Sequence, residues 1–546
     1  MSNSSSLARD LGLSSLTLTV VTSTIGSGWL FAPFVAARAA GAGALLAWGV
    51  GGLLAFSLAL VFAELGSLIN SSGAIAQIQL LSHGRMGGFI GGWSAWISYL
   101  ALPTVEVLAV LQYMASSLPW LTLDGGAGQV LSPAGITLAA LLLLLLTLIN
   151  LAGVGTLARW IEGLTIWKLV VPLLASLCLM FSAGHWGNLS VGFITAGSRV
   201  GIDGIVTAIG SGGILFSLLG FRTAMELAGE AIRPQRTVPL AMALGLGLSL
   251  AVYLVLQLAL LVSVPPAALG QGWGRLELSA HGGPLVALAM GAGLGWVARL
   301  LLLDALISPS ATAMAYLGAA SRVGWMMGRC QLLPRPLSRL NRRQVPGVAL
   351  LTSLVAGVLM LLMGPSWQQV VSFVTATLVI ALAMGPVSLI CLRRQLPGAR
   401  RAYRLPLAGI WCPAAFVMAT WAISWCGRSA LTGAMVVILV PALLLIATDR
   451  LRRRQAGEAR AALDLRSGLW WFPYLGGIVA IVALLGPGAW GPGAKASMVT
   501  QLLALAGWGL LVFPLAVRSG LARISPLAGL ADELATPALS VSTAGD

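Results

Sequence analysis

The chain has 546 residues, of which 58% are hydrophobic and 9% are charged, and its mean hydropathy is +0.93. Because soluble domains carry about 25% charged residues, this composition excludes a soluble globular protein and indicates a polytopic membrane protein. The formal net charge of +16 would suggest a nucleic-acid partner in a soluble protein, but here the positions of the basic residues explain it without one.

Apolar stretches long enough to cross a bilayer, about 20 residues each, predict fourteen membrane-spanning helices. In chain order they are expected at 17–37, 44–69, 88–117, 132–152, 160–183, 203–228, 237–263, 291–318, 347–364, 367–392, 405–425, 430–448, 470–486 and 497–517. With a cytoplasmic N-terminus, the even-numbered connections and both tails hold 24 of the 32 Lys and Arg residues. This bias predicts that both termini are cytoplasmic.

The first and sixth predicted spans are interrupted by glycine- and serine-rich stretches, at Thr24–Gly28 and from Gly210 to Gly220. Matched interruptions in two halves of a chain are typical of inverted-repeat transporters, whose substrates bind near the middle of the membrane at half-helix ends. Because each half has five spans, an odd number, the second half is expected to be inverted relative to the first. We therefore predict an all-α membrane protein with a five-plus-five inverted-repeat fold and four additional helices.

This arrangement divides the chain into six predicted segments. They are a cytoplasmic N-terminal tail (1–16), the inverted-repeat transport core (17–392), a cytoplasmic loop with peripheral spans 11 and 12 (393–448), a basic cytoplasmic linker (449–469), spans 13 and 14 (470–517) and a cytoplasmic C-terminal tail (518–546). Because spans 13 and 14 follow an arginine-rich linker, they are expected to be an addition that does not line the transport pathway.

The two interruptions predict a substrate site. A helix unwinds at membrane depth only where its freed backbone groups face a cavity or a ligand. The half-helix N-terminus beyond the first break suits a carboxylate, and carbonyls freed at 22–25 and 215–219 would accept hydrogen bonds from an α-ammonium group. The expected substrate-binding residues are Thr24, Ile25, Gly26, Ser27, Gly28, Phe216, Ser217, Leu218, Leu219, Gly220 and Arg222. Alternatively, the small residues only permit close helix packing.

Ionisable residues inside the predicted spans are candidates for proton coupling, because such residues are costly in lipid. The four candidates among them, in chain order, are Glu106, Lys168, Glu226 and Asp304. Lys168 is one of only two lysines in the chain, and a buried lysine can release its proton whereas an arginine keeps its charge. The alternative is a lysine that snorkels to the membrane surface. Glu64 and Glu230 lie near inner helix ends, where gate or structural contacts with cytoplasmic arginines are expected.

Arg222 lies two residues beyond the second interruption and has two interpretations. Its guanidinium could bind a second carboxylate on the substrate, which would select aspartate, glutamate or another anionic amino acid. Alternatively, Glu226 lies four residues further along, on the same helical face, and could neutralise Arg222 as an ordinary ion pair.

The remaining reactive residues predict neither a metal site nor an enzyme. The five cysteines are scattered singly, and the three histidines, His83, His185 and His281, fall in predicted loops. Neither pattern has the spacing of a disulfide framework or a zinc site. No catalytic group or metal constellation falls in the spans, and no cofactor is expected.

Several strings together resemble the permeases of the amino acid, polyamine and organocation (APC) superfamily. They are Ile25–Phe31 in span 1, Phe62–Gly66 in span 2, Phe216–Phe221 in span 6, Ala228–Glu230 with Arg233–Pro239 after it, Ser308–Thr312 in span 8 and Leu340–Pro346 in the following loop. The strings Trp29–Pro33 and Pro103–Glu106, with the fourteen-span layout, resemble the aspartate-proton symporter branch. Arg222 departs from the family pattern, which more often has an acidic or neutral residue there.

The resemblance implies a proton-coupled amino acid symporter of a bacterial-type inner membrane, working by alternating access, with acidic amino acids such as aspartate as the best substrate. It also implies that Phe216 gates the substrate and that Lys168 faces span 1 in the place of a sodium ion. The implied partners are the amino acid and the lipid bilayer, with the proton as coupling ion and no nucleic acid. An amino acid exchanger shares every string, and a passive channel or facilitator is a further alternative.

Overall fold

The architecture is built almost entirely of helices, in keeping with the apolar stretches of the sequence. The computed structural model describes residues 11–69, 71–124, 129–191, 202–278, 283–456, 463–486 and 498–525. The parts of the predicted tails before residue 11 and after residue 525, residues 457–462 of the basic linker, and His281 lie outside the described residues.

The described helices fall into three groups along the chain. The first group comprises α1 Leu13–Thr24, α2 Gly28–Ala40, α3 Ala44–Leu68, α4 Ala74–Met114, α5 Pro133–Leu151 and α6 Val154–Ala183. The second comprises α7 Ile202–Ile209, α8 Ile214–Leu218, α9 Thr223–Glu226, α10 Pro234–Ser263, α11 Pro284–Gly291, α12 Gly295–Arg329, α13 Gly347–Leu362 and α14 Trp367–Gln395. The third comprises α15 Ala408–Trp425, α16 Arg428–Ala456, α17 Leu465–Gly468, α18 Trp471–Leu485 and α19 Met498–Ser519.

Short elements connect these helices. The 3-10 turns are Gly41–Gly43, Pro119–Leu121, Trp186–Ser190, Leu219–Arg222, Ala228–Glu230, Pro266–Leu269, Trp273–Arg275 and Arg335–Ser338. Strands β1 Thr122–Asp124 and β2 Gln129–Leu131 pair antiparallel, with Thr122 opposite Leu131.

Each of the fourteen predicted spans overlaps at least one helix, but the number of helices able to cross a bilayer alone is smaller. Within the described residues, eleven helical stretches are long and apolar enough, or twelve if the bent pair Ile202–Ile209 and Ile214–Glu226 is one span. The break after Thr24 leaves α1 with 12 residues, and α13 has 16, so both are short. Residues Gly28–Leu68, from two predicted spans, count as one stretch. The total of fourteen stays a prediction.

Helices α4 and α14 form the buried centre, and the C-terminal helices lie at the periphery. In an apolar stretch of 18 residues within α4, 94% of the stretch is buried inside the protein. The corresponding share is 89% in α14 and 28% in α19. Helices α18 and α19 pack on α15 through Phe416, whose ring centroid lies 4.9 Å from that of Tyr474 and 5.5 Å from that of Phe513.

Helix α4 begins earlier than predicted and bends sharply near its start. The sequence predicts a span from residue 88, whereas the helix runs from Ala74 and is interrupted only at Gly84, which has φ 67° and ψ −163°. His83, predicted to lie in a loop, is completely buried, with Nε2 3.1 Å from the carbonyl oxygen of Ala516. The loop prediction for His83 is wrong because the distant C-terminal helix α19 covers this part of α4.

Candidate functional site

The predicted break in span 1 is present. Helix α1 ends at Thr24 and α2 begins at Gly28, and Ile25 between them has φ −93° and ψ 86°. A Cβ on Gly26 would lie 2.7 Å from Oε2 of Glu106 and 2.8 Å from Cγ2 of Thr312. Because no side chain fits there, glycine lets two neighbouring helices approach the unwound backbone.

The carbonyl oxygens freed at the end of α1 already accept hydrogen bonds from side chains. The carbonyl oxygen of Thr22 accepts hydrogen bonds from Lys168 Nζ at 2.8 Å and from Thr312 Oγ1 at 2.7 Å. The carbonyl oxygen of Ser23 accepts from Tyr316 Oη, and that of Thr24 accepts from Tyr253 Oη at 2.8 Å. The carbonyl oxygen of Ile25 lies 3.2 Å from Thr312 Oγ1. The sequence predicts these oxygens as partners of a substrate ammonium. In this structure the donors are instead side chains of α6, α10 and α12.

The N-terminus of α2 holds a carboxylate that belongs to the protein. The backbone N–H of Ser27 donates to Oε2 of Glu106 at 2.6 Å, and the Ser27 hydroxyl accepts a hydrogen bond from Trp367 Nε1 at 3.1 Å. Helix N-termini favour negative charge because their first N–H groups lack helical acceptors. The predicted position for a substrate α-carboxylate is therefore chemically suited to one, and Glu106 occupies it here.

Lys168 is completely buried beside the first break, so the snorkelling alternative is wrong. Its ammonium donates to Thr22 and to Thr312 Oγ1, the latter at 2.5 Å. Asp304 is also fully buried; its Oδ1 accepts from Ser308 at 2.8 Å, and its Oδ2 has no hydrogen-bond partner. Among the described residues Lys168 forms no ion pair with a carboxylate. At contact distance its ammonium therefore meets only neutral oxygens.

The second break is shorter than predicted. Helix α7 ends at Ile209, α8 begins at Ile214, and the two directions differ by 49°. Gly213 has φ 92°, a left-handed conformation that glycine adopts without strain. The interruption does not extend to Gly220 as predicted, because α8 continues to Leu218 and is followed by the 3-10 turn Leu219–Arg222.

The two broken segments cross in direct contact. A Cβ on Gly28 would overlap Oγ of Ser217 and lie 2.8 Å from Oη of Tyr253, and a Cβ on Gly220 would lie 2.6 Å from the backbone nitrogen of Thr24. At Gly28 and Gly220 the glycine therefore permits close packing, which is the alternative interpretation. Leu218 and Leu219 belong to the hydrophobic core.

Aromatic rings cover the first break. Phe216 is 6% exposed, and its ring meets that of Trp367 edge-on at 6.2 Å between centroids. Trp367 also lies 4.8 Å from the Phe31 ring and donates to Ser27. Trp367 makes the direct contact with the unwound segment, and the gating role of Phe216 stays a prediction.

Arg222 is buried without a hydrogen-bond partner. Its side chain is only 1% exposed, and none of its three nitrogens has an acceptor among the residues that the structure describes. Its Cζ lies 4.3 Å above the ring of Tyr99, whose hydroxyl donates to Oε1 of Glu226 at 3.3 Å. The ion pair with Glu226, the second interpretation of Arg222, is not formed among the described residues. The Tyr99 hydroxyl donates to the Glu226 carboxylate instead, and the Tyr99 ring faces the guanidinium.

Glu230 and Glu64 both contact arginines, as expected. Glu230 forms a two-point ion pair with Arg322, whose Nη2 lies 2.9 Å from Oε2. Glu64 accepts from Nε of Arg393 at 2.9 Å and from the backbone N–H of Leu405 at 2.7 Å, and pairs with Arg401 at 3.2 Å. Both carboxylates are fully buried.

Several residues of the site were not predicted from the sequence, and most are tyrosines. The chain has only six tyrosines, and three of them, Tyr99, Tyr253 and Tyr316, contact the first break or Glu226. Rare tyrosines in the middle of predicted spans are a signal that could have found them. Thr312 could have been identified because it is the last residue of the Ser308–Thr312 string, whereas nothing in the sequence distinguishes Trp367 from the other 18 tryptophans.

Comparisons with known proteins agree on a family. Residues 11–511 match the family described as amino acid permease. The chain is 29% identical to the glutamate/serine transporter AimA of Bacillus subtilis, over 86% of each chain, and 29% identical to the aspartate-proton symporter of the same organism, over 93% of this chain and 96% of the relative. The relatives are transporters and permeases rather than enzymes.

A solved structure shows a similar fold. It is the manganese transporter of Eremococcus coleocola in its E129Q form, with 14% identity, a TM-score of 0.51, and coverage of 92% of this chain and 95% of that chain. At this identity the likeness concerns the fold alone.

Proposed function

Because the chain belongs to the amino acid permease family of the APC superfamily, we propose that it is a proton-coupled symporter of acidic amino acids such as aspartate, working by alternating access. The observation that carries this proposal is the buried guanidinium of Arg222, which has no acceptor for any of its nitrogens and lies two residues beyond the contact of the two broken segments at Gly220.

The geometry of Arg222 favours a substrate with a second carboxylate. A buried donor without an acceptor is destabilising by about 1–3 kcal/mol, and more when it is charged. A carboxylate can satisfy a guanidinium with two parallel hydrogen bonds. Two relatives are described as a glutamate/serine transporter and an aspartate-proton symporter, which supports the same substrate class.

The substrate α-carboxylate is proposed to take the N-terminus of α2, at the N–H of Ser27. Glu106 holds that position here, so the substrate must displace it. A displaced Glu106 loses its backbone donor and is a suitable proton acceptor. Lys168 and Asp304, both buried nearby, complete the proposed proton route. The α-ammonium is proposed to compete with Tyr253 and Thr312 for the carbonyls of Thr24 and Ile25.

The proposed fold is the five-plus-five inverted repeat with fourteen spans in a bacterial-type inner membrane. The two breaks, in α1–α2 and α7–α8, support corresponding helices in two halves. The side that carries the Glu230–Arg322 and Glu64–Arg393 pairs is proposed to be cytoplasmic, since the basic connections cluster there. These pairs would close that side of the pathway in the captured conformation.

Uptake by proteoliposomes tests the proposal. Full-length protein is reconstituted, and labelled aspartate is added with a lower pH outside. We expect saturable accumulation that acidifies the lumen and needs no internal amino acid. Uptake that requires internal amino acid would identify an exchanger, and unsaturable flux without acidification would identify a facilitator. Saturable proton-coupled uptake of neutral amino acids alone would contradict the acidic specificity.

A further inference from the structure

A carboxylate that the substrate contacts do not use lies beside Arg222. We infer that Glu226 takes up a proton when a substrate with a second carboxylate binds Arg222, and not when a neutral amino acid binds. An acidic amino acid would then be transported with one more proton than its neutral amide. This inference rests on the proposed function, because it assigns the second carboxylate to Arg222.

Three side chains form what we term the Arg222 layer, namely Arg222, Tyr99 and Glu226. All three are at most 1% exposed. Tyr99 links the other two, with its ring under the guanidinium and its hydroxyl on Oε1 of Glu226. In the described ranges, neither Oε2 of Glu226 nor any of the three nitrogens of Arg222 has a hydrogen-bond partner. The layer thus has free donors for an anion and a free oxygen for a proton.

The neighbouring ionisable groups leave the charge of this layer to Arg222 and Glu226. From α4 the facing group is Tyr99, and from α12 it is Tyr316, whose hydroxyl donates to the carbonyl of Ser23. Glu230, four residues after Glu226, is neutralised by Arg322 in a two-point ion pair. With Glu226 ionised, the layer is therefore neutral when no substrate is bound.

A second substrate carboxylate changes this balance. Bound to Arg222, it would give the buried layer a net charge of −1, and an uncompensated buried charge is strongly unfavourable. Arg222 cannot compensate because a guanidinium keeps its proton, and Tyr99 is neutral already. Protonation of Glu226 at Oε2 restores neutrality. The proton enters from the aqueous side that supplies the substrate, converts the carboxylate to the acid, and leaves with the substrate on the other side.

A neutral amino acid does not trigger this step, since it leaves the layer uncharged. Aspartate and asparagine are the sharpest pair of probes, because they differ in this group and are nearly equal in shape. In calorimetry on purified full-length protein, titrations in two buffers of different ionisation enthalpy measure the protons taken up per ligand bound. We expect one more proton with aspartate than with asparagine.

The variant Glu226→Gln separates this role from others. It should bind aspartate while the difference of one proton disappears, whereas Glu277→Gln, which removes an exposed carboxylate, should keep the difference. A difference that persists in Glu226→Gln, or that is absent in wild-type protein that binds aspartate, overturns the inference. A wild-type protein that binds no acidic amino acid overturns the proposed function and this inference together.

A measurement without variants covers the case in which Glu226→Gln does not fold. Reversal potentials in wild-type proteoliposomes measure the net charge carried per substrate. If aspartate is transported with the additional proton, each transport event moves the same net charge for aspartate as for asparagine. A charge that is lower by one for aspartate overturns the inference.

Discussion

Arg222 and Arg322 are buried to nearly the same extent, 1% and 2% exposed, yet their guanidinium groups have opposite surroundings. All three nitrogens of Arg322 donate, two to Glu230 and one to the carbonyl of Gly318 at 2.8 Å. Within the described parts of the chain the nitrogens of Arg222 have no acceptor, and its Cζ lies 4.3 Å above the ring of Tyr99.

This difference distinguishes a buried charge that stabilises the fold from one whose hydrogen-bond donors are available to a ligand. A buried ion pair with every donor satisfied contributes to a specific conformation, and removing one partner leaves the other charge uncompensated. A buried guanidinium without acceptors weakens the fold and is compatible with a role only if something outside the chain supplies them. The four predictions below test this distinction.

The largest effect is expected for Arg322→Met, which leaves Glu230 buried without its partner. Breaking a buried pair in this way costs about 3–5 kcal/mol, so the thermal unfolding temperature in detergent should fall steeply and transport should be lost. The double variant with Glu230→Gln should recover part of the stability. Unchanged unfolding of the single variant would contradict the structural role.

Lys168 shares one feature with each arginine. Its ammonium is hydrogen-bonded, as the Arg322 guanidinium is, but among the residues described it donates only to neutral oxygens and has no carboxylate in contact. In Lys168→Met, accumulation of aspartate should depend on the pH gradient by one proton less, a loss of about tenfold in accumulation per pH unit, since one unit is worth about 1.4 kcal/mol. Counterflow of labelled aspartate without a gradient should remain. Normal gradient-driven accumulation would remove Lys168 from the coupling role.

The variant Arg222→Met tests the arginine of the comparison whose guanidinium has no acceptor among the described residues. A hydrogen bond to a charged group is worth about 1.5–3 kcal/mol, so kcat/KM for aspartate should fall about 10- to 100-fold. Uptake of a neutral amino acid should be retained, and the unfolding temperature should stay the same or rise. An equal loss for both substrates, accompanied by lower stability, would place Arg222 with Arg322 as a structural charge.

The smallest effect on stability is expected for Asp304→Asn. The amide keeps an oxygen for the Ser308 hydroxyl, and Oδ2 has no partner to lose, so the free energy of unfolding should change by less than about 1 kcal/mol. The proton dependence of uptake should nevertheless shift. A large loss of stability would show that Asp304 holds the fold instead.

The first break illustrates how far sequence reasoning reached. The glycines of Thr24–Gly28 predicted both the end of α1 and the start of α2, because an interruption within an apolar span is a local feature of the chain. The second break was predicted too long, since the residues after Gly213 are compatible with helix and α8 forms there. The His83 prediction failed because α19, which covers it, comes more than 400 residues later.

The membrane class, the apolar helices, the glycine-broken segments and the family could be predicted from the sequence, because each depends on local hydropathy, on backbone freedom or on strings of adjacent residues. Helix packing sets which side chain contacts each freed backbone group. Glu106, Lys168, Tyr253 and Thr312 reach residues 22–27 from four other helices, and helical periodicity does not specify which helices become neighbours. The same packing left Arg222 without an acceptor and gave Arg322 a complete set.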